Sequence, residues 1–340
     1  MKPLRRSLVV VTALLAGLLA GASLAAADGT LIVLNKSDHN AVLVDPATNT
    51  VVATLPTGKG PHEVAVSPDG KYAYVSNYGS YGVFREGEQR QTLPGNSITV
   101  IDLKERKVLK PYDLGGYRQP HGIRVSKDGK IVWVTCEGLK AVVEIDTVEG
   151  KIRRAFKTNQ ETSHMVVATR DEKKLYVTNI GSGSVSIVDR IKGKVKTLAI
   201  AANAGTEGIE ITPDGKQVWV TNRGANNISV IDVATDTIVA TLESGGKMPI
   251  RVKFTPDGKQ AWVSNAQSNN VAVFDAATRQ LLGTVEVGQV PVGIQMTPDG
   301  KRAYVANTNA NLITVIDVKA RTVLSTFATG TEPDGMAWAK

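Results

Sequence analysis

The chain of 340 residues holds four histidines and a single cysteine. Three of the histidines occupy one place in a recurring phrase. His62 stands in PHEV, His121 in PHGI and His164 in SHMV. Cys136 closes the run IVWVTC, one strand after His121, and Glu137 follows it. Three neutral imidazoles, completed by a carboxylate or by the Cys136 thiolate, make a ligand set for Cu or Zn with a position open to water or substrate. The same imidazoles titrate near neutral pH and can act as general base or acid. His62, His121 and His164 are therefore candidate catalytic residues and, with Cys136, candidate metal ligands.

These residues belong to a repeat. SPDGKYAYVSN (67–77), TPDGKQVWVTN (212–222), TPDGKQAWVSN (255–265) and TPDGKRAYVAN (297–307) are near copies, and 126–136 and 169–179 are looser ones. The turn aspartates Asp69, Asp128, Asp171, Asp214, Asp257 and Asp299 are separated by 59, 43, 43, 43 and 42 residues. Each unit contains four short runs rich in Val, Ile, Thr, Tyr and Trp, divided by Gly, Asp and Asn, which read as strands joined by hairpins. A four-stranded unit of this length is a β-propeller blade. Second strands occur seven times, from LIVLN (31–35) to AYVAN (303–307). The sequence therefore predicts an all-β, seven-bladed β-propeller with four antiparallel strands per blade. The chain opens on a second strand and ends on a first strand, so the N-terminal strands and the C-terminal strand close one blade together.

Used as their own alignment, the repeats show where the blades differ. The second residue of the first strand reads, in ring order, Asp334, His62, His121, His164, Glu207, Ile250 and Val292. First strands line the channel of a propeller, so the five ionisable groups are expected to converge at one mouth. Cys136, Glu137 and the loop holding His39 lie on the same face. So does the segment 78–96, which accounts for an excess of 16 residues in the 59-residue interval and reads as a functional loop. Asp334 and Glu207 are placed to orient or polarise the imidazoles. Arg223 and Arg124 are placed to add positive charge for an anionic ligand, Arg124 alternatively facing a blade interface. His39, Glu137, Glu207, Asp334 and Arg223 are the expected ligand-binding residues. The Asp-Gly turns, the strand-two aromatics and the Asn closing most second strands read as structural.

Residues 1–27 read as a cleaved signal peptide: Lys2, Arg5 and Arg6, an apolar run from Leu8 to Leu24, then Ala25 and Ala27 in an A-x-A pattern. A Sec signal is favoured over twin-arginine export. The propeller then spans 28–340 in the periplasm or outside the cell. No further membrane span is expected. The formal charge of +8 falls to +5 without the leader and reads as evenly spread, with no basic stripe for nucleic acid. One cysteine permits no internal disulfide. A monomer is expected.

LYVTN (175–179) and its copies resemble the YVTN-type seven-bladed propellers of secreted, periplasmic and surface-layer proteins. The resemblance spans nearly all of 28–340. It implies the fold, and it leaves open binding modules, lyases, lactonases and haem sites. PHGI (120–123) is similar to the opening phrase of streptogramin-type propeller lyases, which implies acid–base work for His121. The first reading is an exported propeller that binds a small molecule, a metal-bound or haem-like group, or a periplasmic protein partner at its mouth. The alternative is an enzyme of the same mouth, a lyase, lactonase or metal-dependent oxidoreductase. An adhesin-like scaffold is the third. No G-x-S-x-G nucleophile phrase or dinucleotide loop is present.

Overall fold

The computed structural model describes residues 28–79 and 94–340. The signal peptide read over 1–27 and the larger part of the segment 78–96 lie outside the described residues. The chain forms seven antiparallel sheets, one per blade. Blade 1 joins Pro333–Ala339 to Thr30–Asn35, Asn40–Asp45 and Thr50–Pro56. Its closing pair sets Leu31 opposite Trp338 and Val33 opposite Met336. Blades 2 to 7 open at Pro61, Pro120, Ser163, Thr206, Pro249 and Pro291 and follow one another round the ring. One 3-10 turn, Glu137–Leu139, interrupts the strands.

Burial falls outward along each sheet. In blade 5 the second strand, Gln217–Asn222, is buried at five of six positions, whereas the fourth, Thr237–Glu243, alternates between exposed and half-buried. The second strand is covered by both neighbouring blades and reads as a continuous apolar run, while the outermost strand meets water on one side. The core is accordingly divided among the junctions between blades. Trp219 packs against Phe254 and Phe274 at ring distances of 5.6 and 6.2 Å, joining blades 5 and 6. Trp133 joins blades 3 and 4 through Phe156, Val166 and Leu175. Burying one such ring contributes on the order of 4–6 kcal/mol.

Two polar clips set the channel-facing end of most blades. In blades 2 to 6 the Ser or Thr hydroxyl before the closing residue joins neighbouring first strands, whereas blades 1 and 7 carry Leu34 and Ala306 there. Thr135 Oγ1 donates to the His164 carbonyl at 2.5 Å and accepts from the Gly122 N–H at 2.9 Å. Ser76 does the same for the His121 carbonyl at 2.6 Å, and Thr178 for the Glu207 carbonyl at 2.6 Å. The Thr of the repeat thus fixes the backbone beneath the residue at the mouth.

The closing Asn forms the second clip. It reaches mainly to side chains of the third strand. Asn222 Nδ2 donates to Asn227 Oδ1 at 2.8 Å and to Ser229 Oγ at 2.9 Å, and Asn179 bonds Ser184 and Ser186. In blade 3 those partner positions are Ala141 and Val143. Cys136 fills the slot there, fully buried in an apolar cluster with Ile98, Ile123 and Val143. A thiol suits a slot whose partners have lost their polar atoms.

Candidate functional site

The residue before every first strand adopts a left-handed conformation, from Gly60 at φ 57° and Gln119 at 57° to Glu332 at 56°. The turn recurs in all seven blades, so it belongs to the fold. After it, the second residue of the strand lines a cavity of about 270 Å³ at the channel mouth. All seven such residues do so: Asp334, the three histidines, Glu207, Ile250 and Val292. A second ring lies on the residue after each closing Asn. Lys36, Tyr78, Glu137, Ile180 and Arg223 line the cavity from there.

The three imidazoles form a row. His121 lies between His62, with ring centroids 4.6 Å apart, and His164, at 3.7 Å, with interplanar angles of 39° and 31°. Tyr78 meets His62 and His121 edge-on, at 4.9 and 5.5 Å. All three histidines are buried.

Each ring has a different partner set. His164 Nδ1 lies 2.7 Å from Glu137 Oε1, and Nε2 lies 3.6 Å from Glu207 Oε1. Glu137 also accepts from the Tyr78 hydroxyl at 2.5 Å, and Glu207 lies 2.8 Å from Arg223. Burial opposes charge on His164, but the bonds to Glu137 and Glu207 outweigh it and raise its pKa. His62 Nδ1 is 2.8 Å from Asp334 Oδ2 but out of line for a hydrogen bond, and its Nε2 pairs with no described group. Lys36 Nζ holds the same carboxylate at 3.1 Å. Burial lowers the His62 pKa despite Asp334. His121 has no carboxylate beside it, and its Nδ1 pairs with no described group. Burial first, then the charge on His164, push its pKa well down. The row thus sets an imidazole whose pKa is pushed down against one whose pKa is pushed up.

Below the cavity the channel is crossed by ion pairs. Arg251 bonds Glu63 from the opposite side of the ring. Arg124 and Lys253 lie 3.4 and 3.2 Å from Glu210. Arg124 therefore serves the channel interior and not the mouth.

Among the expected site residues, the structure gathers His62, His121, His164, Glu137, Glu207, Asp334 and Arg223 at one cavity. It leaves two elsewhere. Cys136 points into the junction between blades 2 and 3, where burial raises its thiol pKa, so it is no ligand for this mouth. His39 is turned to local backbone, with Nδ1 2.9 Å from the Lys36 carbonyl and 3.1 Å from the Gly60 nitrogen. Metal ligation by the three histidines also fails on geometry. Ligand nitrogens must lie about 2.0–2.1 Å from one ion, whereas these rings are layered on one another. Among the described residues no three His, Cys, Asp or Glu side chains converge as a metal-holding group. Sequence reasoning missed Lys36, Tyr78 and Arg251. A signal for the first two was present: both stand directly after the residue that closes a second strand, as Glu137 and Arg223 do.

The family model described as the virginiamycin B lyase family matches residues 109–331. The chain belongs to the virginiamycin B lyase family. The matched span carries His121, His164, Glu137, Glu207 and Arg223. A second model, of lactonases with a seven-bladed β-propeller, matches residues 27–169 and so covers His62, Tyr78 and Lys36. The lyase and lactonase models stand where the YVTN resemblance was drawn, and both agree with the seven-bladed wheel. No curated protein matches the chain in sequence. Among solved structures it is similar to Kuenenia stuttgartiensis hydrazine synthase, at 24% identity over 88% of this chain and 99% of that one, with a TM-score of 0.71. It is similar to the periplasmic gluconolactonase of Pseudomonas aeruginosa, at 16% over 92% and 99%, TM-score 0.73. A putative 6-phosphogluconolactonase of Bacteroides fragilis gives 16% over 92% and 98%, TM-score 0.70. At such identities these likenesses speak for the fold alone.

Proposed function

We propose that the mouth is an acid–base active site that opens an ester or lactone linkage by elimination. The observation that supports this is the adjacent pair His121 and His164. Their environments drive the two pKa values apart, as an acid–base pair requires. Neutral His121 takes a proton from the carbon next to the one bearing the ester oxygen. The electron pair of that C–H bond becomes a new C=C bond, the C–O bond breaks, and imidazolium His164 protonates the departing oxygen. Proton return from His121 to His164 restores the site. Glu137 and Glu207 are positioning residues that keep His164 charged.

The cavity of about 270 Å³ is at the lower end for ligand pockets, which suits a small ester or one edge of a larger one. Ile250 and Val292 offer its apolar part a wall. The leader over 1–27, together with the likeness to a periplasmic gluconolactonase, supports export to the periplasm. A mature N-terminus at Asp28 would confirm cleavage.

The test is a panel of cyclic esters and lactones incubated with the protein in ¹⁸O-labelled water. Elimination gives a ring-opened product of unchanged mass with a new alkene absorbance. Incorporation of labelled oxygen would instead assign a lactonase. Tight binding with no conversion, unchanged in His121→Ala, would return the mouth to the binding reading.

A further inference from the structure

The net charge read as evenly spread becomes one-sided on folding. The outermost segment of blade 2, KVLKPYD (107–113), carries two basic residues. That of blade 3, Lys151–Lys157, reads KIRRAFK and carries four, and that of blade 4, Lys194–Ala199, reads KVKTLA and carries two. All eight are exposed, and Asp113 is the one acid among them. The outer strands of blades 5, 6, 7 and 1 read TIVATLE, LLGTVE, TVLSTF and TVVATLP and carry no basic residue.

Charged side chains on an outer strand commonly guard its free edge against pairing with other chains. That account fails here, because it predicts guards where the edge is most apolar. Leu281, Leu282, Val323 and Leu324 are 42–49% exposed on blades 6 and 7, yet those strands have no basic residue. Arg154 donates to the Arg190 carbonyl and lies over the Phe156 ring, but edge guarding does not account for the remaining basic residues of blades 2 to 4, which are free to answer to something outside the molecule.

We infer that the rim of blades 2 to 4 docks an extended acidic segment of a protein partner. Charge complementarity sets the sign. Shape favours a chain over a membrane, since the patch wraps round three of the seven blades and a flat bilayer cannot follow it. An outer strand also presents backbone groups to which an extended segment can add. Local acids temper the patch without cancelling it: the half-buried Asp146 lies 3.6 Å from Arg153 and the exposed Glu149 lies 3.9 Å from Lys151. The surface is remote from the mouth, so this inference stands independently of the proposed reaction.

The test uses the whole chain with fluorescent poly-L-glutamate as the probe, followed by anisotropy at low and moderate salt. The rim variant is R153E/K157E/K194E/K196E. The control, K71E/K216E/K259E/K301E, makes the same formal charge change at the Asp-Gly turns, where these lysines are at least half exposed. Thermal melts establish that both fold. The expected result is binding by the native chain, weakened about tenfold or more in the rim variant and within about twofold of native in the control. Equal losses in both variants would reduce the effect to net charge and overturn the inference. So would no binding, or a preference of the native chain for phosphatidylglycerol vesicles or duplex DNA over polyglutamate.

Discussion

The two sides of the channel mouth occupy the same repeat positions and differ in chemistry. On blades 1 to 5 the second residue of the first strand is Asp, His, His, His and Glu, and on blades 6 and 7 it is Ile250 and Val292. The second ring follows the division in part, with Lys36, Tyr78, Glu137 and Arg223 on one side, interrupted by the apolar Ile180 of blade 4, and Ala266 and Thr308 on the other. Ser or Thr clips hold the backbone at His121, His164 and Glu207 on one side and at Ile250 and Val292 on the other, so the fold does not dictate the difference. It shows how one wheel can carry a reactive row facing an inert wall. Burial of the row lowers the His121 pKa, while the carboxylates beside His164 raise its own.

Removing the centre of the row should give the largest effect. His121→Ala is expected to lower turnover on the order of 10²- to 10⁴-fold. Its thermal midpoint should stay level or rise, because the substitution removes a buried nitrogen that pairs with no described group. Steady-state rates and a melting curve measure both. A variant that melts early and keeps its rate would place His121 in the scaffold.

The division can also be blurred from the inert side. Ile250→Asp sets a carboxylate on the wall, which favours the charged form of His121 and removes base near neutral pH. Turnover at pH 7 should fall about tenfold and recover at higher pH. Glu137→Gln acts on the opposite limb. With a partner of His164 neutralised, its raised pKa falls, and the alkaline limb of the rate profile should move to lower pH. A profile unmoved by either change would break the link between the row and the reaction.

Stability should carry the same signature. Below the ordinary histidine value of 6.5, an unfolded chain takes up protons that His62 and His121 resist when folded, so stability falls as the pH drops. Above that value folded His164 keeps a proton that the unfolded chain has released. Its contribution is full below 6.5 and is lost as the pH rises through its raised pKa. Chemical denaturation across this range should show a maximum between the two limbs, and Glu137→Gln should flatten the alkaline one.

The wheel was legible in the sequence because most blades repeat the same devices: Asp-Gly turns, a Thr or Ser clip and a closing Asn. The convergence of His62, His121 and His164 followed once the repeats were set against one another. The second ring was hidden because the closing Asn recurs from blade to blade while the residue after it varies in type. Arg251 was hidden because its position is Gly in four other blades and reads as backbone. The one-sided rim disappeared into a net charge that sums over all faces.

Cys136 was misread although its explanation was present in the letters, and it offers a smaller test away from the mouth. Copying the repeat with Cys136→Asn places an amide opposite Ala141 and Val143, where it finds no partner. The cost should be about 1–3 kcal/mol, with turnover unchanged. Adding Ala141→Asn and Val143→Ser reproduces blade 5 and should recover much of the loss. If the triple variant is no more stable than the single one, the slot is not the self-contained clip described above.

The smallest effect is expected at His39, which shares its residue type with the row but not its setting. Its backbone is left-handed, at φ 53°, a conformation that Asn tolerates well. Its Nδ1 faces an acceptor, the Lys36 carbonyl, and a donor, the Gly60 N–H, at once. One nitrogen can serve only one of them in a given tautomer, so the native contact is half-satisfied. His39→Asn supplies both an acceptor and a donor and should cost under about 1 kcal/mol, with turnover within about twofold of native. A large loss of turnover at His39 would extend the reactive row outward through the Lys36 loop and redraw the boundary between the two sides of the mouth.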